Sequence, residues 1–343
     1  MTFSVSPSAA DVTRRTLLRV LAAAAATAVL PSDRVFANEP IRIVIAFPPG
    51  GTSTALVKPL EQPLQAALGA AIERDYKPGA GGNVAALQVV QAKPDGHTLL
   101  VGHAGPLAIN HHILVQSAFD PQKDLAPVAM LVEFPIIIGV ASRHGVASVK
   151  DLIALAKTKR LIVGSSGNGS IQHLAAEVFC RETGIETVHI PFAGGGPLQQ
   201  AFERGAVDLM LETGSNLVKH MREGTLKPIA VMGRERLPIA PDVPTVSQIG
   251  LKELDVAAWF GLLAPSSTPK DVVQRTAQAT LDALNTADVR QAYEAIGGVA
   301  KPLGPEAFAN YIATENKRWA TLIRQAGLSP VGTGSTGTIG TPQ

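Results

Sequence analysis

The chain contains a single cysteine, Cys180, in 343 residues. No intrachain disulfide can form, so a packed core has to supply the stability. Cys180 lies in an apolar-periodic stretch and reads as a packing residue rather than a reactive thiol. Aromatics are scarce, at 4%, while hydrophobic residues make up 46%. The core is therefore expected to be aliphatic, built from Ala, Val, Leu and Ile. Net charge is also nearly absent, with 30 Lys and Arg against 28 Asp and Glu. The excess belongs to residues 1–37, which carry four Arg and two Asp and leave 26 basic and 26 acidic side chains in the remainder. A neutral remainder offers no electrostatic basis for binding nucleic acid or an anionic membrane.

Several motifs are missing as well. No Gly-Lys-Ser/Thr occurs, which excludes a Walker A loop. There is no G-x-S-x-G nucleophile elbow. Gly164-Ser165-Ser166-Gly167-Asn168-Gly169 has the glycines of a dinucleotide fingerprint without its spacing. His97, His103, His111 and His112 fall within sixteen residues, but their spacing matches no familiar ligand set and no cysteine is near. No metal or cofactor is expected. No carboxylate pair stands out for acid–base work, and Asp208 reads as a turn or helix-terminus partner. His111 and His112 read as surface residues, His173 and His189 as satisfied structural ones.

What is present begins with residues 41–54, IRIVIAFPPGGTST. The apolar, β-branched half reads as a buried strand. Pro48 and Pro49 end it, because neither can donate to a ladder. Gly50 and Gly51 permit a tight turn and close approach of a ligand. Thr52, Ser53 and Thr54 are N-cap types, and an apolar-periodic helix follows over 55–68. The free N–H groups at such a helix start suit an anion.

Ahead of this stretch, Arg14 and Arg15 precede an alanine-rich apolar run to Leu30, and Val35-Phe36-Ala37 offers small residues at −3 and −1. Residues 1–37 therefore read as a signal peptide, of the twin-arginine kind, cleaved near Ala37. The expected location is the periplasm. The mature start lacks a lipobox cysteine.

The same strand–glycine–helix grammar recurs along the chain. Strands are expected at 71–76, 98–103, 127–132, 135–141, 161–166, 187–192, 207–211, 228–232 and 259–265. Helices are expected at 84–92 with Asn83 as cap, 148–156, 171–183, after Pro197, 269–284 with Thr268 as cap, 289–296 and 305–326. Residues 120–124 read as a loop. The glycine turns at 79–82, 167–170 and 193–196 each follow a strand. Alternating elements of this kind imply an α/β fold with a mainly parallel sheet, in which ligands bind at the carboxyl ends of the strands. Two such domains would enclose a cleft lined by helix N-termini, with His103 at the end of a strand beside it; His103 and Thr54 are expected among the ligand-binding residues. The expected division is residues 38–137 plus 258–330 for one domain, 138–257 for the other, and a disordered tail at 331–343.

The ordered set of motifs resembles a Bug-type receptor, the periplasmic solute-binding component of tripartite tricarboxylate transporters. Phe47-Pro48-Pro49-Gly50-Gly51, Pro78-Gly79-Ala80-Gly81-Gly82-Asn83, Pro94-Asp95-Gly96-His97, Gly164–Ser170 with His173-Leu174-Ala175, His189-Ile190-Pro191-Phe192, Val207-Asp208-Leu209-Met210, Pro241-Asp242-Val243-Pro244-Thr245 and Trp259-Phe260-Gly261-Leu262 carry it. The resemblance implies a type II periplasmic-binding fold of two α/β domains closing on a small organic carboxylate. It implies that Phe47 flanks the ligand and that amides around Gly51, Thr52 and Ser53 hold a carboxylate, with Ser166, Asn168, Gly169, Ser170, Ala193 and Gly194 contributed by the second domain. It implies a monomer that is not an enzyme and that delivers its ligand to the permease subunits.

Three positions depart from the family pattern. Thr54 stands where Asp is frequent, Lys58 where an arginine is usual, and Phe192-Ala193-Gly194 where Tyr-Lys-Gly is usual. The pocket should therefore be more apolar than the family's and suit an aromatic or branched carboxylate rather than an amino acid. An exported hydrolase-like enzyme on the same frame, or a sensor docking a membrane kinase, stands as the alternative.

Overall fold

The computed structural model describes residues 39–113, 118–167, 170–251 and 254–325. The expected signal segment, the expected tail and two expected site residues, Asn168 and Gly169, lie outside these.

The chain opens with β1 (Ile41–Ile45), α1 (Thr52–Leu68), β2 (Ile72–Tyr76), α2 (Asn83–Val90) and β3 (Thr98–His103). In β1 every residue but Arg42 is buried, as expected for a strand with layers on both faces. β4 (Leu125–Ala141) leads into α3 (Val149–Ala156), β5 (Leu161–Ser165), α4 (Ile171–Thr183) and β6 (Thr187–Pro191). α5 (Gly195–Glu203), β7 (Leu209–Thr213), α6 (Gly214–Arg222) and β8 (Leu226–Met232) complete the second unit. β9 (Ala257–Pro265) returns the chain, followed by α7 (Lys270–Leu284), α8 (Ala287–Glu294), β10 (Val299–Leu303) and α9 (Pro305–Gln325).

β1 pairs parallel with β2 and β3, and β5 pairs parallel with β6 and β7. The two parallel groups meet through the antiparallel strands β4 and β9. Residues 125–135 of β4 pair with β9, while 136–141 pair with β7 and β8. One strand thus serves both α/β domains. The return crossing lies beside it, with the Ile136 N–H bonded to the Val256 carbonyl at 3.1 Å. Two adjacent crossings therefore join the two lobes.

The C-terminal helix fixes β9. Trp259 and Trp319 both donate their indole N–H to Glu315, at 3.3 and 3.1 Å. Trp259 also meets Phe308 and Tyr311 edge to face, with ring centroids 5.8 and 5.5 Å apart. These two buried indoles and one buried carboxylate hold the β9 end that faces the second lobe.

The structure corrects several expectations. The two strands expected at 127–132 and 135–141 are one strand of 17 residues. Register shifts absorb Pro127, and Pro135 sits where pairing passes from one sheet group to the other, so neither proline has to donate to a ladder. Asn83 does not cap α2. Gly82 holds the N-cap position at φ +99, where a Cβ would come within 2.5 Å of His103 Nε2, and Asn83 instead accepts from Asn110 at 2.8 Å. Pro269 rather than Thr268 occupies the N-cap of α7. The expected loop at 120–124 contains a helical turn, Pro121–Asp124, capped by Asp120. α6 and β10 were not expected. α6 is short and polar on average, and β10 carries Pro302 with an irregular register.

Candidate functional site

The carboxyl ends of the parallel strands converge on a cavity of about 800 Å³ between the lobes. The first lobe contributes Phe47 to Ser53 after β1, Pro78 to Gly82 after β2 and His103 to Gly105 after β3. The second contributes Ser166, Gly167, Ser170, Ile171 and Gln172 after β5, Phe192 to Pro197 after β6, and Thr213 and Asn216 after β7. The start of β9 adds Ala258, Trp259 and Phe260.

The helix starts are the main polar feature. Gly51 is the N-cap of α1, with no side-chain cap and no acidic residue in the first turn. The N–H groups of Thr54 and Ala55 are already bonded to the Gly51 carbonyl, at 3.1 and 3.2 Å. Those of Thr52 and Ser53 have no intrahelical acceptor, as follows from helix geometry. α5 opens at Gly194 with no side-chain cap and no acidic first turn. The cap of α4 is Ser170, which accepts from the His173 N–H at 3.2 Å. Partial positive charge therefore faces the cavity from both lobes.

No Lys, Arg, Asp or Glu lines the cavity among the described residues. His103 is the titratable group there. Burial lowers its pKa to about 4, so the ring is neutral near pH 7. Its Nδ1 accepts the Gly105 N–H at 3.2 Å, which leaves the proton on Nε2, a buried atom with no hydrogen-bond partner. Phe47 lies 4.8 Å from the imidazole and Phe260 6.0 Å from it, centroid to centroid.

The structure brings Phe47, Gly51, Thr52, Ser53, His103, Ser166, Ser170, Ala193 and Gly194 together on this wall. Thr54 is not among the lining residues. Its hydroxyl accepts from the Gly50 N–H at 3.2 Å and donates to Tyr76 at 3.3 Å, so it braces the turn from behind. Asp208 lies outside the cavity, where Arg143, His144 and Lys159 converge on its Oδ1 at 2.8, 2.7 and 3.3 Å. Its Oδ2 accepts the Ile162 N–H at 3.0 Å. Burial alone would raise its pKa, but the Ile162 amide and the three side-chain donors outweigh that and hold it at about 2. Asp208, just before β7, is an ion-pair hub that ties the turn after β4, the segment between α3 and β5, and β5 itself together.

Sequence reasoning missed the β7–α6 corner. Thr52 of the first lobe meets Ser215 of the second, oxygen to oxygen, at 2.5 Å, and Thr213 at 3.5 Å. Behind this corner Glu212 is fully buried and accepts from Ser166, Gln172, Asn216 and the Thr213 N–H. The signal was available: Gly214-Ser215-Asn216 after an apolar strand repeats the grammar of the other turns.

His173, Glu177 and His189 place their ligand atoms within 4.8 Å of one another. The two imidazoles stack at 3.9 Å and 9°. Parallel ring planes do not meet, so their in-plane lone pairs cannot converge on one ion, and His189 Nε2 is engaged by Ser165 at 2.7 Å.

Two α/β lobes joined by paired crossings, with helix starts facing a shared cleft, define a solute-binding protein of the type II periplasmic-binding class. Comparison with known proteins narrows this. The profile of the "Tripartite tricarboxylate transporter family receptor" matches residues 56–328. Rpa4515 of R. palustris, solved with adipate, superposes with a TM-score of 0.82 at 27% identity, over 86% of this chain and 99% of that one. MatC (Rpa3494) of Rhodopseudomonas palustris, solved with malate, gives 0.77 at 32% identity, over 84% and 100%. The periplasmic binding protein BugD gives 0.80 at 26% identity, over 86% and 100%. The chain belongs to the tripartite tricarboxylate transporter receptor family and is a Bug-type receptor.

Proposed function

We propose that this receptor captures one small organic carboxylate in the periplasm and delivers it to the permease subunits of a tripartite tricarboxylate transporter. The observation that carries the reading is a cleft polarised by uncapped helix starts on both sides, with no Lys, Arg, Asp or Glu among the described residues of its walls. Such a site holds an anion by backbone N–H groups, at little desolvation cost to the protein. The adipate and malate bound to Rpa4515 and MatC support a carboxylate ligand.

In this reading the Thr52 and Ser53 amides at the Gly51 corner hold the carboxylate. Phe47 and His103 flank it, and Ser166, Ser170, Ala193 and Gly194 close over it. The moving units are residues 38–137 plus 258–330 against 138–257. Closure adds affinity only through contacts absent in the open form, and the Thr52–Ser215 bond is such a contact. The protein works as a monomer, without turnover of its ligand. Phe47, Phe192 and Phe260 among the lining residues favour an aromatic or branched body.

Titration calorimetry with terephthalate, citrate and glutamate tests this, together with mass spectrometry of whatever co-purifies. Binding of an apolar-bodied carboxylate is the expected result. A clear preference for glutamate would refute the ligand class, and conversion of a bound carboxylate into product would refute the receptor role.

A further inference from the structure

Glu212 ends up in an unusual place for an anion receptor. It is fully buried directly behind the second-lobe wall. Its Oε2 accepts the Asn216 amide at 2.8 Å, the Thr213 N–H at 3.1 Å and the Gln172 amide at 3.4 Å. Its Oε1 is bonded to the Ser166 hydroxyl. Ser166, Gln172, Thr213 and Asn216 all line the cavity, and Glu212 does not. The donors that this corner could have offered a ligand are thus turned inward onto a carboxylate of the protein itself.

We propose that Glu212 supplies a built-in carboxyl group that occupies the donor set at the β5–α4 and β7–α6 corners, so that this receptor selects monocarboxylates over dicarboxylates of the same body. The inference rests on the carboxylate reading of the same cleft. A second carboxylate on the ligand would have to shed water in a cavity without a lysine or arginine on its described walls. It would face a corner whose amide and hydroxyl donors are already engaged by the protein's own carboxyl group, so that it would be left unpaired. The α1 and α5 starts differ. Neither has a side-chain cap or an acidic residue in its first turn, so their free amides are left to grip the single carboxylate from both sides. The remainder of the ligand then lies against Phe192 and Phe260, where an uncharged body costs little to desolvate.

The test compares matched pairs, hexanoate with adipate and benzoate with terephthalate, by calorimetry on the mature chain. The wild-type protein is expected to bind the monocarboxylate of a pair at least tenfold more tightly. Glu212→Gln keeps the shape but replaces one acceptor oxygen by a donor NH2, which frees wall donors for a ligand, and is expected to shrink that ratio tenfold or more by tightening the dicarboxylate. A wild-type protein that binds the dicarboxylate as tightly as its partner would overturn this inference and leave the carboxylate reading standing. That comparison does not depend on the variant's folding. A Glu212→Gln protein with an unchanged melting curve and an unchanged ratio would also overturn it. Failure of every pair to bind would overturn the carboxylate reading and this inference with it.

Discussion

Gly51 allows binding to be separated from folding. Its backbone is extended, at φ −92 and ψ −171, a conformation open to any residue. A Cβ built there meets nothing within 4 Å, and Gly51 lines the cavity. Gly51→Leu therefore places a side chain in the ligand space at the α1 start without a clash. Two opposing effects act on stability. A side chain at a compatible position gains about 0.4–1 kcal/mol from the unfolded chain, while leucine is a poorer N-cap than glycine by up to about 1 kcal/mol. The melting temperature should stay within a few degrees of wild type. Binding should respond much more strongly. Two charge-assisted bonds from the Thr52 and Ser53 amides contribute about 1.5–3 kcal/mol each, so blocking them weakens affinity by about 10²- to 10⁴-fold. Gly51→Ala should fall between. The contrast is Gly194, where φ is +105 and any side chain adds strain. Calorimetry beside thermal unfolding reads both quantities. A Gly51→Leu protein that melts normally and keeps its affinity within twofold would show that the carboxylate is held elsewhere.

Three further expectations follow from the geometry. Asp208→Asn removes the charge that Arg143, His144 and Lys159 share; the shift of its pKa from 3.8 to about 2 corresponds to about 2 kcal/mol, or a melting temperature about 4–8 °C lower, with affinity unchanged. In the wild type that contribution is present above the unfolded pKa and is lost as pH falls through about 2. His103 and His189 are both held at about 4 by burial, below the ordinary 6.5. The unfolded chain therefore binds more protons in that interval, and stability falls as pH drops from 6.5 to 4, by up to about 3 kcal/mol per histidine. Burial raises Glu212 and works in the opposite direction, so the clean reading is the difference against His103→Gln, whose melting curves should lose part of that acid slope. Ser215→Ala removes the inter-lobe bond to Thr52. It should weaken affinity about three- to tenfold and enlarge the scattering radius of the liganded protein; an unchanged affinity would mean that closure does not use this contact.

Much of this protein is legible in the residue order because the information is local. A β-branched run ending in Pro-Pro-Gly-Gly specifies a strand, a turn and a helix start within fifteen residues. The same grammar marks the corners at Ser166, Ala193 and His103, since strand period, proline geometry and glycine freedom act between chain neighbours. Where the chain carries weak local signals, tertiary pairing decided. Residues 125–141 became one strand because β9, β7 and β8 supply partners along its whole length, and Gly82 became a helix cap because His103 fills the space a side chain would need. The β7–α6 corner, the Thr52–Ser215 contact and the placement of Glu212 behind the cleft join residues 46 to 163 positions apart. Such contacts depend on where whole elements come to rest against one another, and no run of neighbouring residues encodes that separately from the fold.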